Sequence, residues 1–374
     1  MFNFAAPARL TAMDHKGRQK KLRTALQSSR LELLLITHLP NIRYLCGFTG
    51  SAGALVMTPA KSVFFTDGRY TEQARAEVQG SRVVIARKSP IVAAGEWLST
   101  HGKKRRPQTI GIEGEDLSVA ERTRLAHSLG RGFRLREAPP LVEKARVVKD
   151  EDEINRLRAA VILGASLFDC ALKTIRPGVK ETEVAAEMEY AARRAGADGM
   201  SFETIIASGP RSALPHGRAS QAAIPAEGFV VCDFGVILAG YCSDMTRTVF
   251  VGQPSDRARR MYEAVREAQQ VAIEVVRPGA SVSEVDAAAR KLLQKNGLGR
   301  YFTHSTGHGV GLEIHEAPRL AAGQTDVLRP GMVVTIEPGV YLPGIGGVRV
   351  EDMVLVTEGG CTVLTPTGKD LITI

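Results

Sequence analysis

VVCDFGV, residues 230–236, and VVTIEPGV, residues 333–340, are two versions of one phrase. In each, an apolar run reaches a carboxylate, Asp233 or Glu337. One residue and then Gly-Val follow. A second carboxylate comes after each phrase: Asp244 eleven residues beyond Asp233, and Glu351 fourteen beyond Glu337. Between the phrases lies HSTGHGVGLEIHE (304–316), which contains His308. Four carboxylates and one histidine can therefore converge.

A run such as Val230-Val231-Cys232 reads as a buried strand. A carboxylate at its inner end costs several kcal/mol unless it is paired or metal-bound. Four such groups repel each other and need cations. Hard oxygens with one imidazole suit Mn²⁺, Co²⁺ or Zn²⁺ better than a thiolate site would. Four carboxylates able to bridge point to two ions rather than one.

The remaining composition narrows the function class. The chain has 374 residues, enough for two domains with full cores. Apolar content of 44% and charged content of 24% are those of a globular chain, and no apolar run is long enough to span a bilayer. The start, MFNFAAPARLTAMDHKGRQKK, lacks a signal-like apolar core, so a cytoplasmic location is expected. Five scattered cysteines without a CxxC pair fit reduced thiols, with Cys232 and Cys242 as small core-filling groups. The net charge of +9 is dispersed apart from Lys16–Arg23 and Lys103–Arg106, and aromatics are only 5%. Both clusters read as solvated surface, and neither a nucleic-acid nor a membrane partner is expected.

Residues 1–136 alternate apolar runs with helical patterns, which predicts an α/β domain. Leu31–Thr37, Ala52–Met57, Ser62–Thr66 and Thr109–Ile112 read as strands, Arg69–Val78 and Pro90–Thr100 as helices. Ser118 with Glu121 forms a capping box that starts a third helix. Asn41–Gly53 reads as a glycine-rich loop without the GKS or GKT of a phosphate cradle. Residues 137–150, with two prolines and mixed charge, read as a linker. The second domain then covers 151–374, and a long helix capped by Asp150 runs to about Ile175.

That second domain carries an internal repeat. RPGVKETEVAAEMEYAARRAG (176–196) aligns without gaps with RPGASVSEVDAAARKLLQKNG (277–297). Each copy is a turn and an amphipathic helix that stops at glycine, and each is followed by its carboxylate phrase. Two units separated by about a hundred residues make a pseudo-twofold domain rather than a solenoid. Each half contributes a sheet, outer helices and a carboxylate pair, with metal at the seam.

Asp233, Asp244, His308, Glu337 and Glu351, set in ASGPRSALPHG, STGHGVGLEIHE, TIEPGVY and GVRVED, resemble the metallopeptidases of the pita-bread fold. That family includes aminopeptidase P, prolidase and methionine aminopeptidase, with creatinase as a metal-free relative. NIRYLCGF and TDGRY look like the creatinase/prolidase N-terminal domain, which methionine aminopeptidases lack. The resemblance covers nearly the whole chain. It implies an α+β protein: a C-terminal pseudo-twofold pita-bread (creatinase/aminopeptidase) fold behind an α/β N-terminal creatinase-like domain.

The resemblance also implies roles. Asp233 would hold one ion, Asp244 and Glu351 would bridge two, and His308 and Glu337 would complete the second. Mn²⁺ is the first expectation, then Co²⁺ or Zn²⁺. Cleavage would proceed through a metal-bridging hydroxide. His216 and His315 would bind substrate and stabilise the tetrahedral intermediate, while Glu337 would pass a proton to the leaving proline nitrogen. His304 reads as a pocket residue touching substrate. Arg349, two residues from Glu351, and Tyr341 would sit at the site and orient the carboxylates. Arg319 would clamp a substrate carboxylate.

The expected function is therefore an exopeptidase acting on short proline-containing peptides, commonly as a homodimer. SALPHG favours aminopeptidase P, which removes an N-terminal residue ahead of proline. Arg319 favours prolidase, the Xaa-Pro dipeptidase. A creatinase-like metal-free hydrolase predicts substituted ligand positions, and none is substituted. A non-enzymatic binding module on the same fold would usually have lost ligands as well. The glycines of Gly307–Gly311 lack the acidic partner of a dinucleotide loop, and no HExxH zinc helix is present.

Overall fold

The structure, a computed structural model, describes residues 12–101 and 108–374. The basic cluster Lys103–Arg106 and most of the N-terminal start lie outside the described residues. The chain divides into two compact units, Ala12–Arg146 and Val147–Ile374. Among the described residues no helix is long and apolar enough to cross a membrane.

The first unit runs α1 (His15–Ser28), β1 (Leu33–Ile36), α2 (Leu39–Cys46), β2 (Ala54–Met57), β3 (Ser62–Asp67), α3 (Thr71–Glu77), β4 (Arg82–Ala86), α4 (Pro90–His101), β5 (Gln108–Ile112), α5 (Val119–Leu129), β6 (Phe133–Glu137) and α6 (Leu141–Val147). Its six strands form one sheet in the order β4-β3-β2-β1-β5-β6. Leu35, Val56, Phe65 and Ile110 from the sheet pack with Leu98 and Leu125 from α4 and α5. Ser118 and Glu121 form the expected capping box on α5.

Three features depart from the sequence reading. Half of the segment read as a glycine-rich loop is α2. Its N-cap residue, His38, makes no side-chain cap. The Glu113 carboxylate stands in, accepting from Thr37 N at 2.6 Å, His38 N at 2.8 Å and Asn41 Nδ2 at 2.7 Å. A cap supplied from some 75 residues away leaves no local signature. The segment 137–150, read as a linker, contains α6, and the first unit extends to Arg146. Nor is Lys16–Arg23 wholly solvated. Arg18 and Gln19 are buried, Arg18 donates to Tyr44 O at 3.2 Å and stacks 4.1 Å from that ring, and Gln19 donates to Leu45 O at 2.9 Å.

The second unit opens with α7 (Glu151–Thr174), capped by Asp150 in a box with Glu153, as its sequence suggests. Next come α8 (Glu181–Arg194), β7 (Gly199–Met200), β8 (Ile205–Ser208), β9 (Gly228–Phe234), β10 (Val236–Leu238), β11 (Tyr241–Cys242) and β12 (Met245–Val251). The second half runs α9 (Asp256–Val275), α10 (Val282–Lys295), β13 (Gly307–Gly309), β14 (Glu316–Leu320), β15 (Val333–Ile336), β16 (Gly339–Leu342), β17 (Gly346–Arg349), β18 (Asp352–Thr357) and β19 (Gly360–Val363).

The duplication is visible in this order and in its hydrogen bonds. Gly178 N donates to Ile224 O and Ile224 N to Val179 O; Gly279 N donates to Leu328 O and Leu328 N to Ala280 O. Helices α8 and α10 both end ahead of a left-handed glycine, Gly196 at φ 93° and Gly297 at φ 71°. Strand β9 pairs between β8 and β12, and β15 pairs between β13 and β18. The first half packs Leu167, Met188, Ile206 and Phe234 into its core. The second packs Val265, Leu293, Ile336 and Val354. The expected pseudo-twofold α+β architecture is the one observed.

Candidate metal centre and active site

Each half builds its carboxylate pair the same way. A central strand ends within one residue of the first acid, a hairpin turns the chain back, and the second acid leads into the neighbouring strand. Thus β9 contains Asp233, the hairpin is β10–β11, and Asp244 precedes β12. Likewise β15 precedes Glu337, the hairpin is β16–β17, and Glu351 precedes β18. The halves are stitched where Glu351 N donates to Thr246 O at 3.1 Å.

Strand β13 brings in His308. Glycines flank it because the backbone runs tight against its neighbours: a Cβ at Gly307 would lie 1.9 Å from Thr335 O, and one at Gly309 would lie 2.3 Å from Ala317 O. His308 Nδ1 lies 3.0 Å from its acceptor, Gly309 O. Its Nε2 points at the acids, 3.6 Å from Asp244 Oδ2 and 3.5 Å from Glu337 Oε1. Burial first, then repulsion from a charged His315, pushes its pKa down to about 4, so the ring is neutral at pH 7. A neutral ring donating through Nδ1 leaves a lone pair on Nε2, the form a metal ligand takes.

Ligand atoms of Asp244, His308 and Glu351 all lie within 4.8 Å of one another. Two negative charges at that spacing repel by about 3 kcal/mol at an effective dielectric near 20. Burial, reinforced by Glu351, Asp233 and Glu337, raises the Asp244 pKa well above the usual carboxylate range. Burial with repulsion from Glu337 and Asp233 does the same to Glu351. Glu337 is pushed up to about 7 by burial, against the pull of Arg349.

Two buried carboxylate oxygens of this centre have no hydrogen-bond partner among the described residues, Asp233 Oδ1 and Glu351 Oε1. Their partner oxygens are satisfied: Arg349 Nη2 donates to Asp233 Oδ2, and Thr246 Oγ1 donates to Glu351 Oε2 at 2.7 Å. Orphaned acceptors of this kind are rare in folded proteins. Oxygen donors with one imidazole, mutual repulsion and two unmet lone-pair sites all fit divalent cations.

Around this centre lies a shell of polar groups. Arg349 also donates to Tyr341 Oη at 2.6 Å, Thr246 Oγ1 at 3.0 Å and Pro215 O at 3.0 Å. His304 Nε2 lies 2.9 Å from Tyr341 Oη, and burial pushes the His304 pKa down to about 4. His304 lies at a bend ahead of β13 and His308 within that strand, so neither is on a helix, as the intervening Ser-Thr-Gly suggests. The His315 ring stands 4.4 Å from that of His308. His216 is exposed, and a charge on it would oppose protonation of both His304 and His315. Arg319 is exposed and pairs across the β13–β14 ladder with His308. Directly paired residues share a sheet face, so its side chain projects to the His308 side.

Thr246 and Thr335 escaped the sequence reading. Thr246 links Glu351 to Arg349. Thr335 Oγ1 accepts from His308 N at 3.1 Å and lies 3.5 Å from Glu337 Oε1. Thr246 stands two residues after Asp244 and Thr335 two before Glu337, so they occupy different places in the two halves and aligning the halves does not expose them. Cys232 and Cys242 are buried, and burial pushes both thiols up to about 12, as befits core-filling groups.

Comparison with known proteins places this geometry. Residues 155–358 match metallopeptidase family M24, and residues 18–148 match the creatinase/prolidase N-terminal domain. A Xaa-Pro dipeptidase of Pyrococcus furiosus is 36% identical over 364 residues, covering 96% of this chain and 100% of its own. Among solved structures, a Xaa-Pro dipeptidase from Bacillus anthracis superposes with a TM-score of 0.91 at 41% identity, covering 96% of this chain and 100% of that one. An X-Pro aminopeptidase from Thermotoga maritima gives 0.86 at 33% identity, with coverages of 94% and 100%.

Proposed function

The chain belongs to metallopeptidase family M24, and from that premise we propose that it is a Xaa-Pro dipeptidase that uses two divalent ions. The aminopeptidase P reading taken from SALPHG gives way to the prolidase alternative. Arg319 carries the choice. It faces the His308 side of its sheet and has no acidic partner among the described residues. A guanidinium so placed suits the free carboxylate of a C-terminal proline, which a dipeptide presents and a longer peptide does not. The relatives named above lean the same way, two being Xaa-Pro dipeptidases and one an X-Pro aminopeptidase.

Asp233, Asp244, His308, Glu337 and Glu351 would hold the ions. Bound there, divalent ions would lower the pKa of water and supply hydroxide near neutral pH. Mn²⁺ is the proposed metal, since four carboxylates and one imidazole are a mostly hard ligand set.

The protein's own groups do the rest. Arg349 holds Asp233 and, through Thr246, the Glu351 side chain, which fixes both acids without occupying Asp233 Oδ1 or Glu351 Oε1. Tyr341 Oη ties Arg349 to His304 and fixes the orientation of that ring. His216 and His315 stand where they can donate to the carbonyl oxygen as charge develops on it. Glu337 receives the proton released by water and passes it to the proline nitrogen, a secondary amine that leaves poorly unless protonated. The free cysteines suit a cytoplasmic location, and a homodimer is part of the same reading.

The test is a rate comparison in Mn²⁺. Gly-Pro should exceed Ala-Pro-Ala in kcat/KM by about tenfold or more, the worth of one charge-assisted hydrogen bond. Arg319→Ala should shrink that ratio towards unity. Faster cleavage of the tripeptide would return the assignment to aminopeptidase P.

A further inference from the structure

Two buried carboxylates outside the metal cluster have no role in the chemistry described above, yet each is surrounded by hydrogen-bond donors. Glu181 is the first residue of α8 and is fully buried. One of its oxygens accepts from Ser208 N and Ser208 Oγ, both at 2.8 Å. The other accepts from Ser220 N at 3.1 Å and Ser220 Oγ at 2.7 Å. Arg211 Nε approaches both, the nearer at 3.1 Å. Every donor comes from residues 208–220, and Ser208 and Ser220 are the two ends of that loop. His216 lies between them. Arg211 Nη2 closes the loop further by donating to Arg218 O at 2.9 Å.

The second half has its own version. Asp286, on α10 and 1% exposed, accepts from Thr306 N at 3.1 Å and Thr306 Oγ1 at 2.8 Å. Arg290 pairs with both Asp286 oxygens, and donates to Phe302 O at 3.1 Å and to His304 O. The contacts now reach 302–306, the segment carrying His304 and leading into His308: Thr306 donates to Asp286, and Phe302 O and His304 O accept from Arg290. In the gapless alignment of the repeats, Glu181 matches Val282, so Asp286 sits one helical turn further along its helix. The carboxylates are therefore not copies of one ancestral residue. Each half has placed a buried acid on its repeat helix, against the loop that brings histidine to the centre.

We propose that Glu181 and Asp286 are positioning residues: Glu181 clamps both ends of the 208–220 loop to set His216, and Asp286 with Arg290 sets the 302–306 segment and His304. The link to turnover rests on the dipeptidase reading; the anchoring itself does not. Both acids meet donors only, a pattern a carboxylate accepts and a carboxamide cannot. Glu181→Gln and Asp286→Asn keep the side-chain shape but turn an N–H₂ towards N–H and O–H groups. The loop then loosens at its two ends, while its middle stays held by Arg349, which donates to Pro215 O, and by Gly347 N, which donates to Ser212 Oγ.

The experiment combines hydrogen exchange, metal titration and kinetics on the full chain. Glu181→Gln should speed amide exchange in 208–220 and leave 302–306 unchanged; Asp286→Asn should do the reverse. Mn²⁺ binding should match wild type in both variants, since no ligand is touched. For Glu181→Gln, kcat/KM on Gly-Pro should fall by up to about a hundredfold, the cost of about 1 Å of misplacement. In a His216→Ala background the same substitution should add less than about a twofold loss, because the residue it positions is gone.

Unchanged exchange in 208–220, or a full second loss of activity in the His216→Ala background, would overturn the proposal. Ser220→Ala, which removes one donor from a half-buried residue, gives a milder form of the same exchange pattern if Glu181→Gln does not fold. A wild-type protein that cleaved no Xaa-Pro peptide would instead sink the dipeptidase reading, while the two exchange patterns would still decide the anchoring.

Discussion

Glu351→Gln is expected to lower Xaa-Pro cleavage by about a thousandfold or more, equivalent to at least about 4 kcal/mol of barrier. The side chain sits at the seam of the two halves, 1% exposed, with Oε2 satisfied by Thr246 and Oε1 left without a partner. A carboxamide keeps the volume and the Thr246 contact but replaces one of two anionic donors. Mn²⁺ affinity should fall with activity. The metal-free variant should melt no lower than metal-free wild type, because the charge removed is one that Asp244, Asp233 and Glu337 oppose. Titration calorimetry and thermal melts with and without Mn²⁺ read both effects. Activity near that of wild type would mean the orphaned oxygen is not a ligand.

The largest effect on stability is expected away from the chemistry, at Arg247. This guanidinium is 2% exposed and pairs with Asp352, itself 1% exposed, at 2.7 Å. It also donates to Thr246 O and Gly368 O at 2.9 Å, to Thr367 O at 2.7 Å, and to Glu351 O. One side chain thus ties β12 of the first half to the start of β18 in the second and to the C-terminal tail. Arg247→Met leaves Asp352 with only Gln269 and Lys369 and strips four carbonyls of a donor. Breaking a buried pair from one side costs about 3–5 kcal/mol. The melting temperature of the 147–374 unit should fall by roughly 10 °C. Arg247→Lys should lose much of the same stability, since an ammonium cannot serve five acceptors in a planar fork. A shift under about 2 °C for Arg247→Met would show the clamp to be dispensable.

The parts of the fold that were legible in the sequence share a physical cause. Asp233, Asp244, Glu337 and Glu351 stood out because a charge at the end of a buried strand demands an explanation, and four in a repeated phrase demand the same one. The helix from Asp150 and the twin helices ending at Gly196 and Gly297 were legible because their caps are local. Non-local partners hid the rest. Glu113 caps α2 from a distant loop, so Asn41–Cys46 read as irregular. Arg18 is buried through a stack on Tyr44 that spacing within α1 does not show. Glu181 resembles any acid in a helix's first turn, and only the folded chain shows its five donors from 208–220. Thr246 and Thr335 are short hydroxyl residues whose value lies in what they touch.

The central claim is that two halves of a duplicated unit tolerate facing carboxylates because divalent ions lie between them. Anomalous scattering from crystals soaked in Mn²⁺ tests it most directly. Two anomalous peaks per chain, enclosed by Asp233, Asp244, His308, Glu337 and Glu351, are the predicted result. A chain that binds Mn²⁺ elsewhere, or shows no peak among those five side chains at saturating Mn²⁺, would contradict it.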